Sequence, residues 1–98
     1  MNSYDPNRPF FGDDALEDYL ATDATTSKRY GHKVKAIELA NIEYKFRYQK
    51  LRHEKSMKPP PSTGRIFSGY LVVRKLGTPD QYETWMPGHI FHDLYQKA

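Results

Sequence analysis

The sequence predicts an α+β fold: a small antiparallel β-hairpin packed with a central helix and a short C-terminal helix, preceded by a flexible acidic N-terminal arm. Three observations lead to this prediction. Residues 69–98 hold two strand-like runs separated by a Gly-Thr-Pro-Asp turn, then a proline and a short amphipathic stretch. Residues 32–58 contain no glycine or proline, which allows a long regular element. Residues 1–27 hold six acids and one arginine.

Composition restricts the protein class. At 98 residues the chain is one domain at most. Its 38% hydrophobic content is low and its 14% aromatic content is high, so large rings must supply much of the buried surface. The lack of cysteine excludes disulfides and favours a reducing compartment. No run is long and apolar enough for a signal core or a bilayer span, so we expect a soluble, intracellular protein with no membrane partner.

Charge is distributed unevenly along the chain. The total is +3, but residues 1–27 carry −5, residues 28–58 carry +7 and residues 59–98 carry +1. We therefore divide the chain into an acidic N-terminal arm, residues 1–27, and a single small α+β domain, residues 28–98.

The arm contains a pattern typical of a short amphipathic helix at about 13–22. Asp13 or Asp14 would cap its first turn, where acids suit the positive end of a helix. Three apolar side chains share one helical face at i, i+3 and i+4: Leu16, Tyr19 and Leu20. The following segment, 22–29, is polar and is interpreted as a linker.

The middle of the chain permits two interpretations. Composition favours a helix over at least 42–57, whereas 33–41 fits either a helix or an added strand, because short apolar runs satisfy both periodicities. The three prolines in 58–64 cannot continue a helix and form an extended connector.

The C-terminal part predicts a β-hairpin and a last helix. The strands span 66–75 and 81–85, the turn spans 77–80, and the helix spans 89–96. The predicted core consists mainly of aromatic and branched side chains: Trp85, Phe91, Tyr95, Leu71, Val73, Tyr44 and Ile37.

The stretch GYLVVRK…DQYETWMP..IFHDLY resembles small phage and prophage proteins of unknown function. These end in a Gly-Tyr strand, a Tyr-Glu-Ser/Thr-Trp strand, a proline and a Phe-x-x-x-Tyr helix. The matching positions are Gly69, Tyr70, Val72, Tyr82, Glu83, Trp85, Pro87, Phe91 and Tyr95. The resemblance covers residues 69–96, with a weaker match at 33–42. It implies a fold fragment and a viral origin, with location in the host cytoplasm or the virion, and it implies no activity.

No pattern in the sequence indicates an enzyme or a cofactor. The chain lacks cysteine, a Gly-x-Ser-x-Gly elbow and a glycine-rich phosphate loop. His89 and His92 lie at i, i+3 with Asp93 beside them, but zinc needs three or four converging ligands. We interpret both histidines as surface residues and predict no metal site.

Protein binding is the favoured function, as an inhibitor of a host enzyme or defence complex, or as a virion component. Two apolar stripes on the middle segment exceed what a small core needs, and the arm resembles a helix that docks in a groove. The arm could equally fold back on the basic middle. The predicted contact residues for a host or viral protein, or for a second copy, are Phe10, Phe11, Leu16, Tyr19, Leu20, Leu39, Ile42 and Phe46.

Nucleic-acid binding is the alternative. Cations and rings interleave between 44 and 58, where cations could neutralise phosphates and rings could stack on bases. The residues of this alternative site are Lys45, Arg47, Tyr48, Lys50, Arg52, Lys55 and Lys58.

Overall fold

A computed structural model describes residues 9–98 of the chain. These residues form five strands, three α-helices and one short 3-10 turn, which confirms the α+β class. The N-terminal half contains the 3-10 turn Asp13–Ala15, β1 Glu17–Ala21, α1 Ala24–Tyr30, β2 Lys33–Glu38 and α2 Asn41–Leu51. The C-terminal half contains β3 Gly69–Arg74, β4 Tyr82–Pro87, α3 Gly88–Leu94 and β5 Tyr95–Lys97.

The five strands form one antiparallel sheet in the order β4-β3-β2-β1-β5. Side chains alternate between its two faces, and each face carries its own apolar cluster. The cluster beneath α2 contains Leu16, Leu39, Tyr44, Leu71, Val73 and Trp85. The cluster beneath α3 contains Tyr19, Val34, Ala36, Val72, Phe91 and Tyr95. Six of the seven predicted core residues are buried, and Ile37 is half-buried against the first cluster.

The predicted helix at 13–22 is wrong. Residues 17–21 form β1, which pairs with β2 on one side and β5 on the other. Leu16 and Tyr19 then reach opposite clusters instead of sharing one helical face. Tertiary pairing overrides local periodicity here, and this part of the predicted arm lies inside the sheet. Residues 1–8 of that arm lie outside the described residues.

The segment interpreted as a linker contains α1. Asp23 caps this helix, because its side chain accepts a hydrogen bond from the Thr26 backbone N–H at 2.7 Å. The cap also explains why the pKa of the Asp23 carboxyl lies below its ordinary value. A seven-residue helix with few apolar positions leaves little periodic signal in the sequence.

The middle segment divides into a strand and a shorter helix than predicted. β2 settles the ambiguity at 33–41 in favour of a strand for residues 33–38, and α2 ends at Leu51 instead of 57. After a turn at 52–55, the chain runs beside β4, where Met57 lies opposite Glu83 in a parallel bridge. This bridge draws residues 56–58 away from the helix axis.

The hairpin prediction is confirmed, with shifted boundaries. The turn at 77–80 is present, and Gly77 has φ +80°, a conformation that favours glycine. The first strand begins at Gly69 instead of 66. The last helix ends at Leu94, so the part predicted as helix at 95–96 belongs to β5.

Tyr44 links α2 to the edge of the sheet. Its hydroxyl donates to the backbone carbonyl of Lys58. Burial, followed by the nearby Glu83 carboxylate, raises its pKa well above the ordinary value of 10.0. The folded state thus holds Tyr44 neutral at a pH where the unfolded chain would ionise it.

We therefore expect alkaline pH to destabilise the protein through Tyr44. Its contribution is fully present below the ordinary pKa of 10.0 and declines as pH rises above it, because the unfolded state releases the proton first. Tyr44→Phe should cost about 1 kcal/mol at neutral pH. Above pH 10.0, the difference in free energy of unfolding between wild type and this variant should shrink by up to about 1.4 kcal/mol per pH unit. Urea unfolding at neutral and alkaline pH measures both; a constant gap would contradict the prediction.

Candidate binding surface on helix α2

A buried ion pair fixes which side of α2 faces the protein interior. Arg47 Nε lies 2.8 Å from Glu83 Oε1, and Arg47 Nη2 lies 3.0 Å from Glu83 Oε2. Arg47 Nη1 donates to the Pro9 carbonyl oxygen at 2.7 Å, and the Phe11 ring centroid lies 4.8 Å from the guanidinium carbon. Both charged residues are buried. The pair therefore joins α2, β4 and the segment before the 3-10 turn.

The opposite side of α2 faces outward. With 3.6 residues per turn, Ile42 and Phe46 lie roughly across the helix from Tyr44 and Arg47. Phe46 is 40% exposed and Ile42 is half-buried. Lys45 and Lys50 are both exposed beside them.

Phe10 extends this outward side. It is 39% exposed, and its ring centroid lies 5.2 Å from the Lys50 ammonium. Phe46 lies one helical turn before Lys50, on the same side of α2. We call this set the α2 surface: Phe10, Ile42, Lys45, Phe46 and Lys50.

A second exposed apolar segment lies at the start of α2 and was missed by the sequence analysis. The Asn41 side chain donates to the Arg65 carbonyl at 2.8 Å and accepts from the Phe67 backbone N–H at 2.8 Å. Ile66 and Phe67 are 71% and 45% exposed. The sequence prediction placed them in a hairpin strand, but the strand starts only at Gly69.

Three of the predicted partner-binding residues are buried, and the prediction is wrong for them. Leu16, Tyr19 and Leu39 belong to the two apolar clusters within the chain, so a partner cannot reach them in this fold. Phe11 is half-buried against Arg47, and Leu20 is half-buried on β1. The structure thus leaves Phe10, Ile42 and Phe46 of the predicted set on one outward side.

The predicted basic-aromatic stretch is not one continuous surface. Arg47 is bound inside the protein, and Tyr48 packs against the cluster beneath α2. Lys55 Nζ lies 3.8 Å from the buried Glu83 carboxylate. Four members remain exposed: Lys45, Lys50, Arg52 and Lys58. A nucleic acid would therefore meet these cations with Phe46 as the one exposed ring of the stretch, because Tyr44 is buried and Tyr48 is half-buried.

The histidines of α3 lie on the surface. His89 and His92 are exposed, and the His92 ring contacts the Tyr70 ring edge-on at 5.2 Å. Among residues 9–98, no three histidine, aspartate or glutamate side chains are placed to hold a metal ion. Within the same residues, no helix has the length and apolar character to cross a membrane.

Comparisons with protein-family models, curated proteins and solved structures found no match to this chain.

Proposed function

We propose that the chain is a non-enzymatic binding protein that engages a partner protein through the α2 surface. The observation that carries the proposal is the pair of exposed rings, Phe10 beside Lys50 and Phe46 one helical turn before it on α2. Exposed aromatic side chains flanked by cations resemble the centre of a protein interface, where a few large rings supply most of the binding energy.

The α2 surface also restricts the chemistry of the partner. Its apolar part needs a hydrophobic counterpart, and Lys45 and Lys50 favour acidic groups around that contact. Arg47 adds nothing to this charge, because Glu83 neutralises it inside the protein. The expected partner therefore presents an apolar patch with an acidic margin.

A phage origin fits this proposal. The resemblance at residues 69–96 supports a phage-encoded accessory protein, acting in the host cytoplasm or within the virion. The function would be inhibition of a host enzyme or defence complex, or a structural contact in the particle. Both roles require a stable protein surface and no catalytic group.

We expect Phe10→Ser/Phe46→Ser to abolish partner capture without unfolding the protein. Replacing exposed rings changes stability little, whereas losing two central rings should weaken binding by about 2 kcal/mol or more. The assay is affinity capture from nuclease-treated host lysate, with quantitative mass spectrometry of bound proteins. Ile90→Ser is the matched control, because Ile90 is 40% exposed but lies on α3, against the other sheet face.

The outcome of this comparison is decisive. A protein retained by wild type and Ile90→Ser, but lost with the double variant, would support the α2 surface. Equal loss with both variants, or capture that the double variant leaves intact, would contradict it. Retention at high salt would indicate an apolar contact, because screening weakens only the charged part.

A further inference from the structure

Five cationic side chains converge at one end of the sheet. Lys28 and Arg29 come from the last turn of α1, Lys33 begins β2, Arg74 ends β3 and Lys75 follows it. Together with Ser27 and Gly31 they line a concavity of about 270 Å³. The five cations lie in three separate segments of the chain, so no local sequence pattern indicates this set.

Two further concavities adjoin this one, on opposite faces of the sheet. One, of about 300 Å³, shares Lys33 and Lys75 with the first and adds Lys35. The other, of about 360 Å³, shares Arg74 and adds Lys58 and Tyr82. We call the connected set the cationic track; its members are Lys28, Arg29, Lys33, Lys35, Lys58, Arg74 and Lys75.

Among the described residues that line the three concavities, cations outnumber acids. Lys33 and Lys75 both line the first two concavities, and like charges that lie close together repel. Among the described residues that line the three concavities, Asp18 is the one acid. It lies 2.9 Å from Lys35 and 3.9 Å from Lys33.

Lys75 shows a second unusual feature. Its φ is +54°, the left-handed region that side chains other than glycine and asparagine rarely occupy. Its carbonyl accepts from the Thr78 hydroxyl at 2.7 Å, which helps to hold this conformation. A glycine here would avoid the strain, whereas the lysine adds a cation to the concavity. Strain of this kind is common at binding sites.

We propose that the cationic track binds the phosphate backbone of single-stranded nucleic acid. A bound polyanion would relieve the repulsion between Lys33 and Lys75, and counterion release would add to the affinity. The first concavity shares residues with one concavity on each face of the sheet, so a flexible chain of phosphates can follow a path along these cations around the end of the sheet. Tyr82, whose ring lies 5.3 Å from the Arg74 guanidinium carbon, places an aromatic group at the end of this path for an unstacked base.

This inference is independent of the proposed function. The cationic track and the α2 surface have no residue in common, so loss of one activity does not predict loss of the other. The track also differs from the basic stretch predicted from the sequence: the two sets share only Lys58.

The test compares two double variants that each remove two positive charges. Lys33→Gln/Lys75→Gln removes charge from the track, and Lys45→Gln/Lys50→Gln removes the same charge from α2. The probe is a fluorescein-labelled oligothymidylate of about 20 nucleotides, followed by anisotropy between about 50 and 200 mM salt. Circular dichroism confirms that each variant is folded, and Lys28→Gln/Arg29→Gln replaces the first variant if it unfolds.

We expect the track variant to bind at least about 10-fold more weakly than wild type. Its log–log salt slope should be smaller in magnitude by about 1.4, since two contacts are lost at about 0.7 each. The α2 control should change affinity by less than about 3-fold. Equal weakening by both variants, or no binding of the probe by wild type at low salt, would overturn the proposal.

Two competitors distinguish the track's ligand from other polyanions. Unlabelled oligothymidylate should displace the probe more effectively than polyglutamate or duplex DNA at equal charge concentration. Equal competition by polyglutamate would overturn nucleic acid as the ligand and point to an acidic protein. Stronger competition by duplex DNA would overturn the preference for single strands.

Discussion

We expect Trp85→Ala to lower the free energy of unfolding by about 3–5 kcal/mol, enough to unfold much of a domain of this size. Trp85 is 6% exposed and belongs to the cluster beneath α2. Its indole N–H donates to the Leu39 carbonyl at 2.6 Å. The substitution therefore removes a large buried ring and leaves a buried carbonyl without its donor.

Two further variants test the packing around the Trp85 indole. Trp85→Phe keeps a ring but loses the hydrogen bond to Leu39, so it should be less damaging than alanine. Gly69→Ala should also destabilise strongly, because a Cβ there would overlap the indole and the Met86 carbonyl. Urea unfolding followed by circular dichroism measures all three. A loss below about 1 kcal/mol for Trp85→Ala would show that this ring is not the centre of the core.

We expect Arg47→Met to cost about 3–5 kcal/mol, because it leaves the Glu83 carboxylate buried without its main partner. Glu83 is only 1% exposed. Lys55 lies 3.8 Å from one carboxylate oxygen and can compensate only in part. The Pro9 carbonyl loses its donor as well, so the segment before the 3-10 turn should loosen with the ion pair.

A double-mutant cycle separates the value of the ion pair from the cost of breaking it. Arg47→Met/Glu83→Leu removes both charges and should be more stable than either single variant, since no buried charge remains. Equilibrium unfolding of the four proteins gives the coupling energy. If the double variant loses the sum of the two single losses, the ion pair is not coupled and our description of it is wrong.

The hairpin could be predicted because its information is local. The Gly-Thr-Pro-Asp turn separates two apolar runs, so the residues that pair are close in sequence. Trp85, Leu71 and Val73 could be assigned to the core for the same reason, and all three are buried. Local chemistry alone was sufficient to identify this part of the fold.

The first strand and the interior arginine could not be predicted, because distant segments determine both. Leu16, Tyr19 and Leu20 fit a helical face equally well, and only pairing with β2 and β5 selects a strand. Arg47 lies in a run of cations that resembles a solvated face. Its burial depends on Glu83, 36 residues further along the chain. Phe10 and Phe46 are exposed, but Phe10 belongs to no helix, and Leu39, which was predicted to share a stripe with Phe46, is buried.

The cationic track could not be predicted from the sequence either, because its charges come from distant segments. Lys28, Lys33 and Lys75 carry no distinctive pattern in their own segments, and only the packing of α1, β2 and the end of β3 brings them around one concavity. Counting charges along the sequence identified a basic middle segment, but it could not show where those charges lie in the folded protein. Such a site can be predicted only when the strand pairing is known, because the pairing decides which charged side chains lie together.

The position of β1 between β2 and β5 has a consequence for synthesis of the protein. Glu17 and Lys97, joined by a 2.7 Å hydrogen bond, are 80 residues apart. A ribosome releases β1 early, yet one edge of that strand has no neighbour until the β5 residues emerge. The nascent chain must therefore carry an open strand edge until then, when wrong pairing is easiest. The β1–β5 pairing is thus the last step in assembling this sheet from its N-terminal end, and long-range closure of this kind slows folding.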